Sequence, residues 1–198
     1  MARPRRSEST RQELLELGVE LLSVNGYNGT GLKQILDAAG VPKGSFYNYF
    51  ASKEAYAAEI IEFYMGNLLR MFDMVIDNHT GSPVQVIRFA YRNMITHLEE
   101  GSCRKGCLMG NMVAEIASSS ELCREVMCTM YKGWRERFTL LLEKGQQQGE
   151  VRNDMPAETM TDLFWQQWEG ALLRMQLEGS TAVLEDSLEL TLDRLFRP

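Results

Sequence analysis

Between Thr30 and Lys53 the chain reads TGLKQILDAAGVPKGSFYNYFASK. Leu32, Ile35 and Leu36 recur at helical spacing behind the Asn28-Gly29-Thr30 turn, so a short helix is expected from Gly31 to about Ala39 with Thr30 as its cap. Gly40-Val41-Pro42 breaks it, and proline suits the first turn of a second short helix, Pro42 to Asn48. Two short helices separated by a Gly-containing turn fit a helix-turn-helix, whose second helix enters the DNA major groove while its neighbours grip the backbone. That second helix carries Lys43, Gly44, Ser45, Tyr47, Asn48 and Tyr49. Gly44 permits close approach, and the Ser45 and tyrosine hydroxyls can bond phosphates or base edges. Phe46 and Phe50, four residues apart, would pin the helix to a core. Ser52 caps the next helix, whose Lys53 can reach a phosphate.

Outward from this stretch the pattern stays helical. Leu14, Leu17, Leu21 and Leu22 share one face of a helix expected from Ser7 to Asn25, ended by Asn25-Gly26. Downstream, helices are expected from Ser52 to Asp77, Pro83 to Glu100, Lys105 to Ala117, a Ser118 cap to Gln148, Pro156 to Leu177, and Thr181 to Phe196. The expectation is an all-α chain of about nine helices: a DNA-binding domain over residues 1–51 with a basic arm, and a larger domain over 52–198.

The formal charge of −6 is unevenly spread. The first 56 residues hold seven Lys/Arg and six Asp/Glu, and the first eleven hold four Arg against one Glu. Phosphate binding depends on local basic groups rather than on the total. No run of eighteen apolar residues marks a membrane span and no apolar stretch follows the basic start, which predicts a cytoplasmic protein without membrane partners. The cysteines Cys103, Cys107, Cys123 and Cys128 form no C-x-x-C pair, and with only His79 and His97 available neither a metal site nor a cofactor is expected.

Residues 9 to 56 resemble the DNA-binding domain of the TetR/AcrR family of bacterial repressors. The resemblance rests on Ser45-Phe46-Tyr47, Tyr49-Phe50 and Ser52-Lys53-Glu54. It implies DNA contacts from Thr30, Lys33, Lys43, Ser45, Tyr47, Tyr49 and Lys53, although His is commoner than Tyr at the Tyr49 position. It also implies a homodimer through the last two helices, a palindromic double-stranded operator and an effector pocket. Phe63, Tyr64, Met71, His97, Met112, Trp134, Phe138, Trp165 and Trp168 suit an adaptable apolar pocket, and equally an ordinary core or interface.

One further run, Lys105-Gly106-Cys107-Leu108 continuing to Glu115, is similar to an element of a TetR subgroup that includes repressors sensing reactive electrophiles and oxidants. A thiol at a helix N-terminus beside Arg104 and Lys105 is favoured as thiolate, the nucleophilic form. Cys107 is therefore the expected sensor, with Cys103 as a resolving partner. A Lys near the thiol in such relatives is replaced here by Gln176. The same residues also suit a buried structural thiol beside a reversible ligand, and Cys123 and Cys128 suit packing.

The expected function is a ligand- or electrophile-released repressor in which the helix after Ser52 swings and alters the spacing of paired recognition helices. A small helical enzyme or carrier is the reading from another class. It has His97 as its acid–base candidate, with no Ser-His-Asp set, phosphate-binding glycine loop or HExxH element. No catalytic residue is assigned.

Overall fold

The computed structural model describes residues 6–101 and 106–198. Among these the elements are α1 (Arg6–Gly29), α2 (Leu32–Ala39), α3 (Lys43–Phe46), α4 (Lys53–Asn78), α5 (Pro83–Gly101), α6 (Leu108–Ile116), α7 (Glu121–Gln147), α8 (Ala157–Glu178) and α9 (Ala182–Leu190). A π-helical turn, Thr191–Leu195, follows α9. No described residue is in a strand, so the chain is all-α as its sequence indicates. No described helix is long and apolar enough to cross a membrane. The basic arm up to Arg5 and the thiol of Cys103 lie outside the described residues.

The helices group into two compact units, one running to Asn67 and including Cys107–Met130, the other comprising Leu68–Gly106 and Tyr131–Pro198. These do not coincide with a division after residue 51. The reason lies in α6, which packs on α1 and so brings a downstream segment into the first unit. Helices α4 and α7 each contribute residues to both units.

In the first unit the core forms where α1, α3 and α4 meet. Phe46, Phe50, Tyr56, Leu14 and Ile60 are each at most 2% exposed. The Phe50 and Tyr56 rings lie 4.6 Å apart, and Phe46 lies 5.3 Å from Phe50 and 5.4 Å from Tyr56. The Tyr56 hydroxyl donates to the Leu14 carbonyl at 2.5 Å, giving a buried polar tip its required partner. Burial pushes the Tyr56 phenol well above its ordinary value.

In the second unit an aromatic cluster joins α5, α7 and α8. Phe138 and Phe164 are 4.4 Å apart, Tyr91 and Trp168 4.7 Å, and Trp134 and Trp165 4.8 Å. Trp134 Nε1 donates to the Tyr91 hydroxyl at 3.0 Å. Outside this core, Arg135 pairs through two nitrogens with Asp162, and Arg137 likewise with Asp73.

Several element ends differ from expectation. Helix α3 is four residues long, but amides of Asn48, Tyr49 and Phe50 bond back to Ser45 and Phe46 carbonyls, so the expected turn to Asn48 continues without regular helix. Ser120, not Ser118, caps α7, because its Oγ accepts the Cys123 amide at 3.1 Å. Helix α2 is capped by Gly31 rather than by the Thr30 side chain. Helix α6 begins at Leu108, which makes Cys107 its N-cap.

Candidate nucleic-acid interface and thiol site

The helix-turn-helix is presented by a sharply bent lead-in. Gly26, inside α1, has φ 70° and ψ 176°, a conformation that glycine tolerates and side chains resist. After α2, Gly40 is left-handed at φ 64° and the Val41 amide returns to the Leu36 carbonyl at 3.0 Å. Helix α3 then starts after Pro42, and Phe46 is driven inward against Tyr56 and Phe50.

With Phe46 and Phe50 buried, the rest of the α3 turn faces out. Tyr47 is 54% exposed, Lys43, Gly44 and Asn48 are exposed, and Ser45 and Tyr49 are half-buried. A Cβ placed on Gly44 would meet nothing within 4 Å, so the protein's own packing gives no reason for glycine there. Lys33 is exposed on α2. The exposed part of the α3 turn thus carries polar side chains and one lysine, Lys43.

Two of the expected DNA ligands have partners inside the protein. Thr30 is wholly buried; its hydroxyl donates to the Gly26 carbonyl at 2.7 Å and lies 3.3 Å from the Leu21 carbonyl, because a bend at Gly26 leaves carbonyls without helical partners. Lys53 turns inward, donating to the Tyr27 carbonyl at 2.7 Å with its Nζ 4.1 Å from the Tyr27 ring centre. Burial lowers the Lys53 ammonium from its ordinary value, and the Glu115 carboxylate opposes that shift. Tyr27 is raised, first by burial and then by the charges of Cys123 and Glu54.

The thiol site is built at the start of α6. Cys107 is half-buried and its Sγ accepts the Gly110 amide at 3.4 Å, so sulfur performs the task that a serine or aspartate oxygen performs at other caps. Within the second unit, the Gln176 amide occupies the space beside Gly106, the residue preceding Cys107: a Cβ there would fall 2.6 Å from Gln176 Nε2. Cys123 is wholly buried, and burial raises its thiol above the ordinary value while a Ser120 hydrogen bond opposes this. Cys128 is exposed, so its packing role is corrected.

The nine pocket candidates divide between the two units. Met112 is buried with the first unit, alongside half-buried Phe63 and Tyr64. Trp134, Phe138, Trp165 and Trp168 pack ring to ring in the second, where that volume is filled by the rings themselves. Met71 and His97 are exposed on α4 and α5, on the outer side of their helices, which corrects their placement as lining residues. An open cleft of about 450 Å³ instead lies around Gln146, Arg152, Asp154 and Arg197, a polar lining that none of the nine joins. Sequence reasoning missed the roles of Glu115, Tyr27 and the Ser120–Glu54 hydrogen bond at 2.5 Å, since each joins residues distant in the chain.

The comparisons with known proteins agree with this geometry. Residues 14–60 match the profile described as "Bacterial regulatory proteins, tetR family", and residues 83–190 match "Tetracyclin repressor-like, C-terminal domain". The chain is 30% identical over 186 residues to the HTH-type transcriptional repressor DhaR of Mycobacterium sp. strain GP1, covering 94% of this chain and 92% of that protein. It is 33% identical to the transcriptional regulator AcuR of Cereibacter sphaeroides over 84% of this chain and 76% of AcuR. Among solved structures, a regulatory TetR protein from Rhodobacter sphaeroides superposes with a TM-score of 0.88 at 32% identity, covering 94% of this chain and 98% of that one. The reduced form of E. coli NemR superposes with a TM-score of 0.85 at 27% identity, covering 93% and 96%. A buried aromatic pivot, a polar recognition turn and these full-length matches together make the chain a member of the TetR family of bacterial transcriptional repressors.

Proposed function

We propose that the α3 turn reads a palindromic operator in the major groove, with Lys43, Ser45, Tyr47 and Asn48 as its contacts, Lys33 and Tyr49 on the flanking backbone, and Gly44 admitting the duplex. The observation that carries this is the division within one short turn, wholly buried Phe46 beside 54%-exposed Tyr47. An open tyrosine offers an apolar ring face and a hydroxyl to a partner, which suits contact with bases and phosphates. The palindrome follows from an isologous dimer, which sets two such turns one helical repeat apart, roughly 34–36 Å. Helix α8 supports that dimer: Leu163, Gly170, Leu173 and Leu177 form an exposed stripe at spacings of seven, three and four residues, Leu177 being 85% exposed. Replacing Lys43, Ser45 and Tyr47 together with alanine should reduce operator affinity at least a hundredfold in a gel shift at fixed salt, since each base or phosphate contact contributes about 1–3 kcal/mol. An intact fold with undiminished affinity overturns the assignment.

A second reading concerns the signal. Cys107 is the reactive group: the amide donor at 3.4 Å and the positive end of α6 both favour anionic sulfur. Addition of the thiolate to the β-carbon of a quinone or α,β-unsaturated aldehyde forms an S–C bond as the C=C π bond breaks and the α-carbon takes up a proton, whereas hypochlorous acid oxidises the thiolate to sulfenic acid and leaves as chloride; either change weakens the cap on the first turn of α6. That NemR, a relative, was solved in a form described as reduced supports thiol chemistry as the trigger. Cys107→Ser keeps a capping atom and removes the nucleophile, so it should bind operator normally and ignore quinones, aldehydes and hypochlorite. Normal release from this variant points to a reversible ligand. Mass spectrometry of treated wild-type protein locates any adduct.

A further inference from the structure

Glu115 lies on α6, one residue from its end, and its Oε2 accepts the backbone amide of Asn28 at 2.8 Å. The same carboxylate fills the space beside Gly26, where a Cβ would stand 2.0 Å from Oε1 and 2.8 Å from Cδ. Between these two residues, the carbonyl of Tyr27 is held by Lys53 at 2.7 Å, and Lys53 is in turn under the electrostatic influence of Glu115. Gly26, Tyr27 and Asn28 are thus each gripped from outside α1, two of them by one side chain. The grip lies immediately before the wholly buried Thr30, whose hydroxyl donates to the Gly26 carbonyl, and before the start of α2.

We propose that Glu115 is a positioning residue for DNA binding: its carboxylate sets the angle at which α2 leaves α1, so that the helix-turn-helix reads the position of α6 through this contact, beside the one that Lys53 of α4 makes to Tyr27. A charged acceptor on a backbone amide is stronger than a neutral one, which suits a carboxylate to this task. Helix α6 is short and continuous, with its cap at Cys107 eight residues before Glu115, about 12 Å along the axis. A displacement at one end therefore reaches the other as a rigid-body motion. A separate bond, Ser120 Oγ to Glu54 Oε1 at 2.5 Å, ties the end of this segment to α4, so removing Glu115 leaves that anchor in place. The proposal rests on the DNA-binding reading and is independent of the chemistry of Cys107.

The test uses an operator selected by the wild-type protein from random-sequence duplexes. Glu115→Ala should weaken operator binding about tenfold by fluorescence anisotropy and speed exchange of the Asn28 amide by at least as much. Glu115→Gln, which keeps a carbonyl acceptor, should recover most of the affinity. Operator affinity of Glu115→Ala within twofold of wild type overturns the proposal. So does an equal loss in the Ala and Gln variants that tracks an equal fall in melting temperature, which marks a residue of general stability. Failure of the wild-type protein to select any duplex overturns the DNA-binding reading itself, and is distinguishable because it precedes every variant.

Discussion

Gly18→Ala sets two effects of opposite sign against each other, and the structure decides between them. Gly18 sits in the middle of α1, where alanine is favoured over glycine by about 1 kcal/mol of helix propensity. The added Cβ would stand 2.4 Å from Ile60 Cδ1, 2.4 Å from the Tyr56 hydroxyl and 2.9 Å from Ile60 Cγ1. Ile60 is wholly buried, and the Tyr56 ring is wedged between Phe46 and Phe50, so neither has free space to yield. Overpacking of this kind costs about 1–3 kcal/mol. Pushing the Tyr56 hydroxyl off the Leu14 carbonyl, now 2.5 Å away, adds about 1–2 kcal/mol for a buried donor without its acceptor. The net expectation is a loss of about 2 kcal/mol, seen as a melting temperature lower by about 4–8 °C. Far-UV circular dichroism at matched protomer concentration measures it, since dimerisation makes the midpoint concentration-dependent. Operator affinity should fall as well, because the α1–α4 contact seats Phe46 and hence the α3 turn. An unchanged or raised midpoint would refute the claim that α1 and α4 touch at van der Waals limits here.

Other substitutions examine the second unit. The Arg135 hydrogen bonds, then the Tyr131 hydrogen bond and the Arg135 charge, hold the Asp162 carboxyl below its ordinary value of 3.8 in spite of opposing desolvation. A depressed carboxylate contributes stability that is full above that value and lost as pH falls through the lower folded one. Asp162→Asn should therefore cost under about 1 kcal/mol near neutrality, as the pair is partly exposed, and the difference from wild type should vanish in acid melts below the carboxylate range. Thr139 and Thr161 share a buried hydroxyl–hydroxyl bond of 2.9 Å between α7 and α8. Thr161→Val alone should destabilise by about 1–2 kcal/mol in urea melts, while the double valine variant should lie nearer wild type because no hydroxyl is stranded.

Local chemistry made much of this molecule readable in advance. Ser52 caps α4, with the Ala55 amide on its Oγ at 3.0 Å, and Ser82 and Gln85 cap α5 reciprocally. Caps, glycine ends and hydrophobic spacing act over three or four residues, so they are visible in a string of letters. What the letters do not show depends on partners far along the chain. Lys53, expected from its neighbours to reach a phosphate, also holds the Tyr27 carbonyl 26 residues away. The capping serine of α7 was misplaced because Ser118, Ser119 and Ser120 are alike locally, and Glu54 on α4 singles out Ser120. Met71, His97 and Cys128 were assigned inward positions from residue type alone, but type does not say which side of a helix a neighbour covers.

Helix content, the helix-turn-helix and the place of Cys107 at the start of a helix were determined by sequence alone, since each rests on propensities, caps and periodicities that a segment carries by itself. Tertiary structure alone decided which polar groups remain available to a partner. A side chain such as Lys53 or Glu115 gains its partner only when two segments distant in the chain meet, and no local pattern of letters announces that meeting.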